Sequence, residues 1–155
     1  MGLALRPALP ADELFLYQLV YDNLYEQLLA DAWDPSLREP LLKMQMEGQR
    51  AGFAAHHPNA EHAIILYDDE PVGRLVFDRG PEMHWLVDIV IAHKYRGKGI
   101  GTWILRAICT EADMTRKPIR LHVNPLNPAL RLYERLGFRL VDDQQAMRLM
   151  ERTPA

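Results

Sequence analysis

A single cysteine, Cys109, stands among 155 residues, so no intramolecular disulfide can hold this chain together. Stability must come from burial, and at this length folding removes roughly 70% of the unfolded surface from water, enough for one core without a staple. An excess of one charge sign is also missing: 18 Lys plus Arg face 21 Asp plus Glu, a net charge of -3. That balance excludes an electrostatic footprint for unspecific nucleic-acid or anionic-membrane binding and leaves an amine partner open. No apolar run approaches the ~20 residues of a membrane span, and Arg6-Pro7 breaks the start too early for a secretory signal. The expectation is one cytoplasmic domain over residues 1–155 with no nucleic-acid or membrane partner. Ligand spacing for a metal is absent too, since the adjacent His56 and His57 are poorly placed to chelate one ion together.

What is present alternates between two periods. Leu3 to Leu5 reads as a short strand closed by Arg6-Pro7, and Asp12 is placed to cap a helix whose apolar face is Leu14, Leu16, Leu19, Val20, Leu24 and Leu28. Trp33-Asp34-Pro35 breaks that helix, and a second is predicted to start between Ser36 and Pro40 and to run through Met44 and Met46, as core or pocket filling, toward Phe53. Two apolar runs, Ala63 to Tyr67 and Val72 to Phe77, flank the turn chemistry of Asp68-Asp69-Glu70-Pro71 and predict a β-hairpin. Met83 to Ala92 is nearly continuous in Trp, Leu, Val and Ile, the signature of a central strand covered on both faces. Asp88 interrupts it. A helix from Ile100 to about Met114, a strand from Pro118 to Val123, a helix opened by Asn127-Pro128 and stopped at Gly137, and closing strands at 138–141 and 146–150 complete the reading. Cys109 falls among the apolar positions of the third helix and reads as a small buried hydrophobe.

The segment between the central strand and the third helix is the most informative. His93-Lys94-Tyr95-Arg96-Gly97-Lys98-Gly99-Ile100-Gly101-Thr102 puts three alternating glycines before a helix start, where first-turn N–H groups are unpaired and backed by the positive end of the helix dipole. With Arg96 and Lys98 added, it predicts a cradle for a phosphate or pyrophosphate. A nucleotide-triphosphate loop requires Gly-Lys-Ser or Gly-Lys-Thr, which does not occur. A dinucleotide fingerprint requires G-x-G-x-x-G, whereas Gly97, Gly99 and Gly101 make G-x-G-x-G, and the acidic ribose partner ~20 residues on is replaced by Arg120, Leu121 and His122.

Arg96-x-x-Gly99-x-Gly101 after an apolar strand, followed by Asn127-Pro128-Ala129-Leu130-Arg131-Leu132-Tyr133-Glu134-Arg135-Leu136-Gly137-Phe138, closely resembles the GNAT N-acetyltransferase superfamily. The resemblance covers about Asp88 to Val141. It implies an α/β fold with a mixed, mostly antiparallel sheet flanked by helices, and a splayed central strand pair that binds acyl-CoA. Acetyl-CoA is the implied cosubstrate, entering where strand Met83 to Ala92 parts from strand Ile119 to Val123. Main-chain groups of Ile89, Val90 and Ile91 would hold the pantetheine arm. Arg96, Gly97, Lys98, Gly99, Ile100, Gly101 and Thr102 would surround the pyrophosphate, and Asn127 would contact the cofactor near the pantetheine. Tyr133 would protonate the departing thiolate. The implied reaction is direct transfer of acetyl to a primary amine in a ternary complex, and a homodimer is a family expectation.

The acceptor is left open between a small-molecule amine, an amino acid, an antibiotic and a peptide terminus. For the base that deprotonates it, Glu82, His84, Asp88 and water all stand; His84 and Asp88 share a strand face only if no bulge intervenes, and a bulge is expected in this strand. Asp22, Tyr25 and Glu26, near the end of the first helix, are placed to line the acceptor side. Two other readings remain at this stage: a CoA-binding sensor without turnover, and a protein-interaction module on the same scaffold.

Overall fold

The computed structural model describes residues 2–143 and 146–155. Seven strands form one sheet in the order β1-β2-β3-β4-β5-β7-β6. Their ranges are β1 Leu3–Pro7, β2 Glu61–Tyr67, β3 Glu70–Arg79, β4 His84–Ile91, β5 Ile119–Val123, β6 Arg139–Asp142 and β7 Arg148–Arg152. Every neighbouring pair is antiparallel except β4 and β5, which the helix α3 (Ile100–Thr115) connects as a parallel crossover. The fold is therefore the mixed, mostly antiparallel sheet that the motifs implied.

Two apolar layers sandwich the sheet. Ile65, Leu75, Phe77 and Leu86 pack with Ile104, Leu105 and Ile108 of α3. Cys109 is buried there as expected, and burial pushes its thiol up. Helices α1 (Glu13–Gln27) and α2 (Pro35–His56) form a second cluster through Val20, Leu24, Ala30 and Leu42. Full burial of an aliphatic side chain such as Ile64 or Ile65 contributes roughly 1.5–3 kcal/mol. The β2–β3 turn is tight because Asp68 and Asp69 both take positive φ, 48° and 67°, which matches the right-handed strand twist.

Several local expectations are corrected. Leu14 is 84% exposed and outside the apolar face of α1, and Met44 also points outward while Met46 packs on the second cluster. Helix α2 starts at Pro35, because the Asp34 carboxylate accepts the Ser36 N–H at 3.0 Å; Pro40 is accommodated inside it. The fourth helix, α4 (Leu130–Arg135), starts three residues later than Asn127. Asp12 gives its helix no side-chain cap. Its carboxylate instead accepts from Arg6 at 2.7 and 2.8 Å and from the Leu9 N–H at 2.8 Å, pinning β1 to the start of α1.

These bonds hold the Asp12 carboxyl down at about 2, first through Arg6 and then through Leu9. Arg152 does the same for Asp113, tying β7 to the last turn of α3. A depressed carboxyl stabilises the fold fully above its unfolded pKa of about 4 and loses that contribution as pH falls toward 2. The melting temperature should therefore fall on acidification from about pH 4 to 2. Asp12→Asn should lower the neutral-pH value and flatten that acid slope, which a melting series from pH 7 to 2 would check.

Candidate functional site

Strands β4 and β5 are bridged only at His84–Ile119 and Trp85–Arg120. Beyond that point β4 runs on to Ile91 and β5 to Val123 with no further pairing, so a wedge opens between them. The main-chain groups of β4 alternate between β3 and this wedge. The Ala92 N–H donates to the Val72 carbonyl on the β3 side at 2.8 Å, so by the same parity Val90 and Asp88 face β3 while Ile89 and Ile91 face the wedge. The Ile91 carbonyl accepts from Arg96 Nε at 3.0 Å. Val90, grouped with its neighbours in the sequence, is thus turned away from the wedge, with its side chain buried.

After β4 the chain makes a turn at His93–Tyr95, Arg96 is extended, and Gly97 and Gly99 take φ of 77° and 81°. Only glycine enters that region at little cost. A Cβ at either position would meet nothing within 4 Å, so the loop faces open space and glycine is demanded by conformation alone. Gly101 lies inside α3 and carries no such demand. The Gly99 carbonyl accepts the Trp103 N–H, and among the described residues no side chain caps the helix. The N–H groups of Ile100, Gly101 and Thr102 therefore precede the first intrahelical donor. Ile100 turns its side chain into the core and contributes only backbone here, while Lys98 is exposed.

Arg96 is not a loose cation. Its Nη1 donates to Glu26 Oε1 at 2.7 Å, and His93 Nδ1 lies 3.4 Å from Glu26 Oε2. Glu26 therefore joins α1 to the glycine loop. Asp22, Tyr25, Glu26, Leu29 and Asp31 line an open cavity of about 450 Å³, in which the Tyr25 hydroxyl donates to Asp31 at 2.9 Å.

The other wall of the wedge is β5 and the segment after it. Asn127 Oδ1 accepts the Ala129 N–H at 2.8 Å, so this side chain shapes the turn into α4. Tyr133 is 6% exposed and meets Phe138 edge-on at 5.6 Å between ring centroids. Burial pushes its phenol up to about 12, with the charge of Asp88 acting in the same direction.

The three predicted base positions are scattered. β4 carries a bulge at Val87: Leu86 pairs with Phe77 and Asp88 with Val76. The extra residue reverses the parity, so His84 and Asp88 lie on opposite faces. His84 packs on Phe77 and Thr115 on the α3 face, where burial pushes its imidazole down. Asp88 lies on the α2 face, and its Oδ2 accepts from Arg74 Nε and Nη2 at 2.9 and 2.5 Å. Glu82 is exposed in the turn before β4.

The α2 face also carries a row of rings that the sequence did not single out. Asp78 of β3 bonds His57 Nδ1 at 2.9 Å, His57 lies 5.5 Å from the Trp85 ring, and His122 of β5 stacks on Trp85 at 5.5 Å with 25° between planes. Trp85 belongs to the last bridged pair, so this row crosses the apex of the wedge. The available signal was strand alternation: Trp85 and His122 each fall on the face opposite an apolar set.

The family model described as the acetyltransferase (GNAT) family matches residues 20–138. Among solved structures, a PaiA N-acetyltransferase from Thermoplasma acidophilum in complex with coenzyme A is similar over 99% of both chains, with a TM-score of 0.73 and 16% identity. An acetyltransferase from Thermus thermophilus is 22% identical, with a TM-score of 0.70 over 99% of this chain and 97% of that one. A GNAT family acetyltransferase from Elizabethkingia anophelis with acetyl-CoA bound gives 0.59 and 18% identity over 97% of each chain.

Proposed function

Because the chain belongs to the GNAT acetyltransferase family, we propose that it transfers the acetyl group of acetyl-CoA directly to a primary amine in a ternary complex. The observation that carries this reading is the wedge between β4 and β5, which runs from the Trp85–Arg120 bridge to a glycine loop and an uncapped 16-residue helix. The fit is chemical as well as spatial. A pyrophosphate is satisfied by consecutive N–H groups at a helix start, and the open space above Gly97 and Gly99 leaves room for it.

In this reading the N–H groups from Gly97 to Thr102 bind the pyrophosphate, with Lys98 adding charge. Arg96 works from the side, holding the loop against α1 and Ile91. Ile89 and Ile91 offer the main-chain groups that a pantetheine amide would pair with, and Asn127 keeps the opposite wall in shape. Bound acetyl-CoA supplies the activated acetyl group. An N–H of β4 facing the wedge stabilises the oxyanion as the amine adds; a donor of this kind is worth about 3 kcal/mol. Tyr133, whose phenol stays protonated far above neutral pH, donates its proton to the departing thiolate.

Release of free thiol from acetyl-CoA, followed with a thiol reagent across a broad amine panel, tests this reading. Amine-dependent release is the expected result. Binding of acetyl-CoA with no release from any amine would leave a sensor instead, and failure of CoA to raise the melting temperature at saturation would remove CoA binding itself.

A further inference from the structure

We propose that His122 is the general base that takes the proton from the acceptor amine, an inference that rests on the acetyl-transfer reading above. Its place in the sheet is the first argument. His122 lies two residues beyond Arg120, the last residue of β5 bridged to β4, so its side chain stands on the opening wedge. Strand alternation puts it on the same face as Arg120, whose partner Trp85 touches it. From Ile91 to Trp85 the wedge wall is roughly 20 Å long at 3.3 Å per residue. A cofactor anchored by pyrophosphate at the glycine loop fills this wall from the Ile91 end. The apex, where His122 and Trp85 stand, is left for the acceptor.

The second argument is chemical. Imidazole is the side chain that takes up and gives off a proton near neutral pH, and His122 is exposed, so the proton can pass on to bulk water. The alternatives are each committed elsewhere. Asp88 is held by Arg74 on its Oδ2, His84 is buried on the other face, Glu82 lies outside the strand, and His57 is bonded to Asp78 behind Trp85. The charged and titratable groups on the elements beside His122 include the Arg120–Glu151 pair on β5 and β7, joined at 2.7 Å, Asp88 with Arg74 on β4 and β3, Arg148 on β7, and His57 with Asp78 beyond Trp85. Leu149 is its neighbour on β7. The stack on Trp85 fixes the ring in place.

The proton balance closes. An ammonium acceptor gives one proton to the imidazole and becomes the neutral nucleophile. Its nitrogen forms the bond to the acetyl carbon as the carbon–sulfur bond breaks. The sulfur takes the Tyr133 proton, the new amide nitrogen loses its remaining extra proton to restore Tyr133 through solvent, and His122 releases its own to water.

The test is the pH dependence of kcat/KM for wild type, His122→Ala and His122→Gln with two acceptors from the thiol-release panel: an alkylamine that is an ammonium ion at neutral pH, and a weakly basic amine already neutral there. For the alkylamine, both substitutions should lower kcat/KM about 100-fold near pH 7. They should also change the shape of the pH profile, leaving rates that climb with the amine's own ionisation, and added imidazole should restore part of the activity of His122→Ala. The weakly basic amine should be almost unaffected. A wild-type profile in both variants, or an equal loss with both amines, overturns the assignment while leaving acetyl transfer intact. Absence of thiol release from wild type with every amine overturns the transfer reading and this inference with it. His122 is on the surface, so equal melting temperatures are expected to accompany the kinetic loss.

Discussion

Tyr133→Phe should lower kcat about 1,000-fold, within the 10²- to 10⁴-fold range of general acid–base catalysis, while the affinity for CoA changes less than twofold. The substitution keeps the ring, its burial and its edge-on contact with Phe138, and removes only the hydroxyl. Packing therefore stays and the fold should melt at nearly the same temperature. In the proposed mechanism, what is lost is the proton for the thiolate. Because the phenol is pushed up to about 12, it remains a donor across the working range, and its ionisation should set no alkaline limb below that value. The variant should also become sensitive to the leaving group: a thioester of a more acidic thiol, which leaves without a proton, should recover much of the rate. Unchanged turnover in Tyr133→Phe would remove this residue from the mechanism. A loss in CoA affinity equal to the loss in kcat would assign it to binding instead.

Gly99→Asp should weaken CoA binding about 10- to 100-fold, the effect of losing one charge-assisted hydrogen bond of ~1.5–3 kcal/mol. Gly99 sits at φ 81° directly before α3, so its substituent stands in the open space above the first-turn N–H groups. A carboxylate there repels a pyrophosphate and competes for the same donors. Conformation alone must be separated from charge, and Gly99→Asn does so, since Asn has the same shape and both side chains tolerate the left-handed region. Each should cost about 1 kcal/mol of stability, a shift of roughly 2–4 °C at this size. Titration calorimetry should then find the Asp variant much weaker than the Asn variant. Equal affinities would make the effect one of backbone strain, and a wild-type affinity in Gly99→Asp would sink the cradle.

Arg96 shows how far the surroundings of a motif residue depend on distant parts of the chain. In the sequence Arg96 and Lys98 look like equivalent charges beside a phosphate loop. In the fold, Arg96 spends its guanidinium on Glu26 and the Ile91 carbonyl, contacts that reach 70 and five residues along the chain. Similarly Ile89, Val90 and Ile91 read as one apolar run, yet the pairing of β4 with β3 turns Val90 away from the wedge.

The glycine loop, the helix after it and the position of Tyr133 on a short helix were legible because each is written locally. Positive φ selects glycine, a helix start is marked by its unpaired donors, and a Leu-Tyr-x-x-x-Gly-Phe run ends a short helix. The two apolar periods likewise determined the order of strands and helices, and the motifs carried the resemblance to the family. The faces on which the polar side chains of the sheet stand were not local. One extra residue at Val87 sends His84 and Asp88 to opposite faces; a bulge in this strand was expected from the sequence, but its position was not. Strand pairing then brings Trp85 and His122 together from positions 37 residues apart, and the end of α2 adds His57, 28 residues before Trp85. Only the tertiary structure decided these matters, because a parity change in one strand and the register between two others are properties of pairing across the sheet. The near-neutral, cysteine-poor composition needed only buried apolar layers, and it is the sheet between them that chose which polar side chains meet.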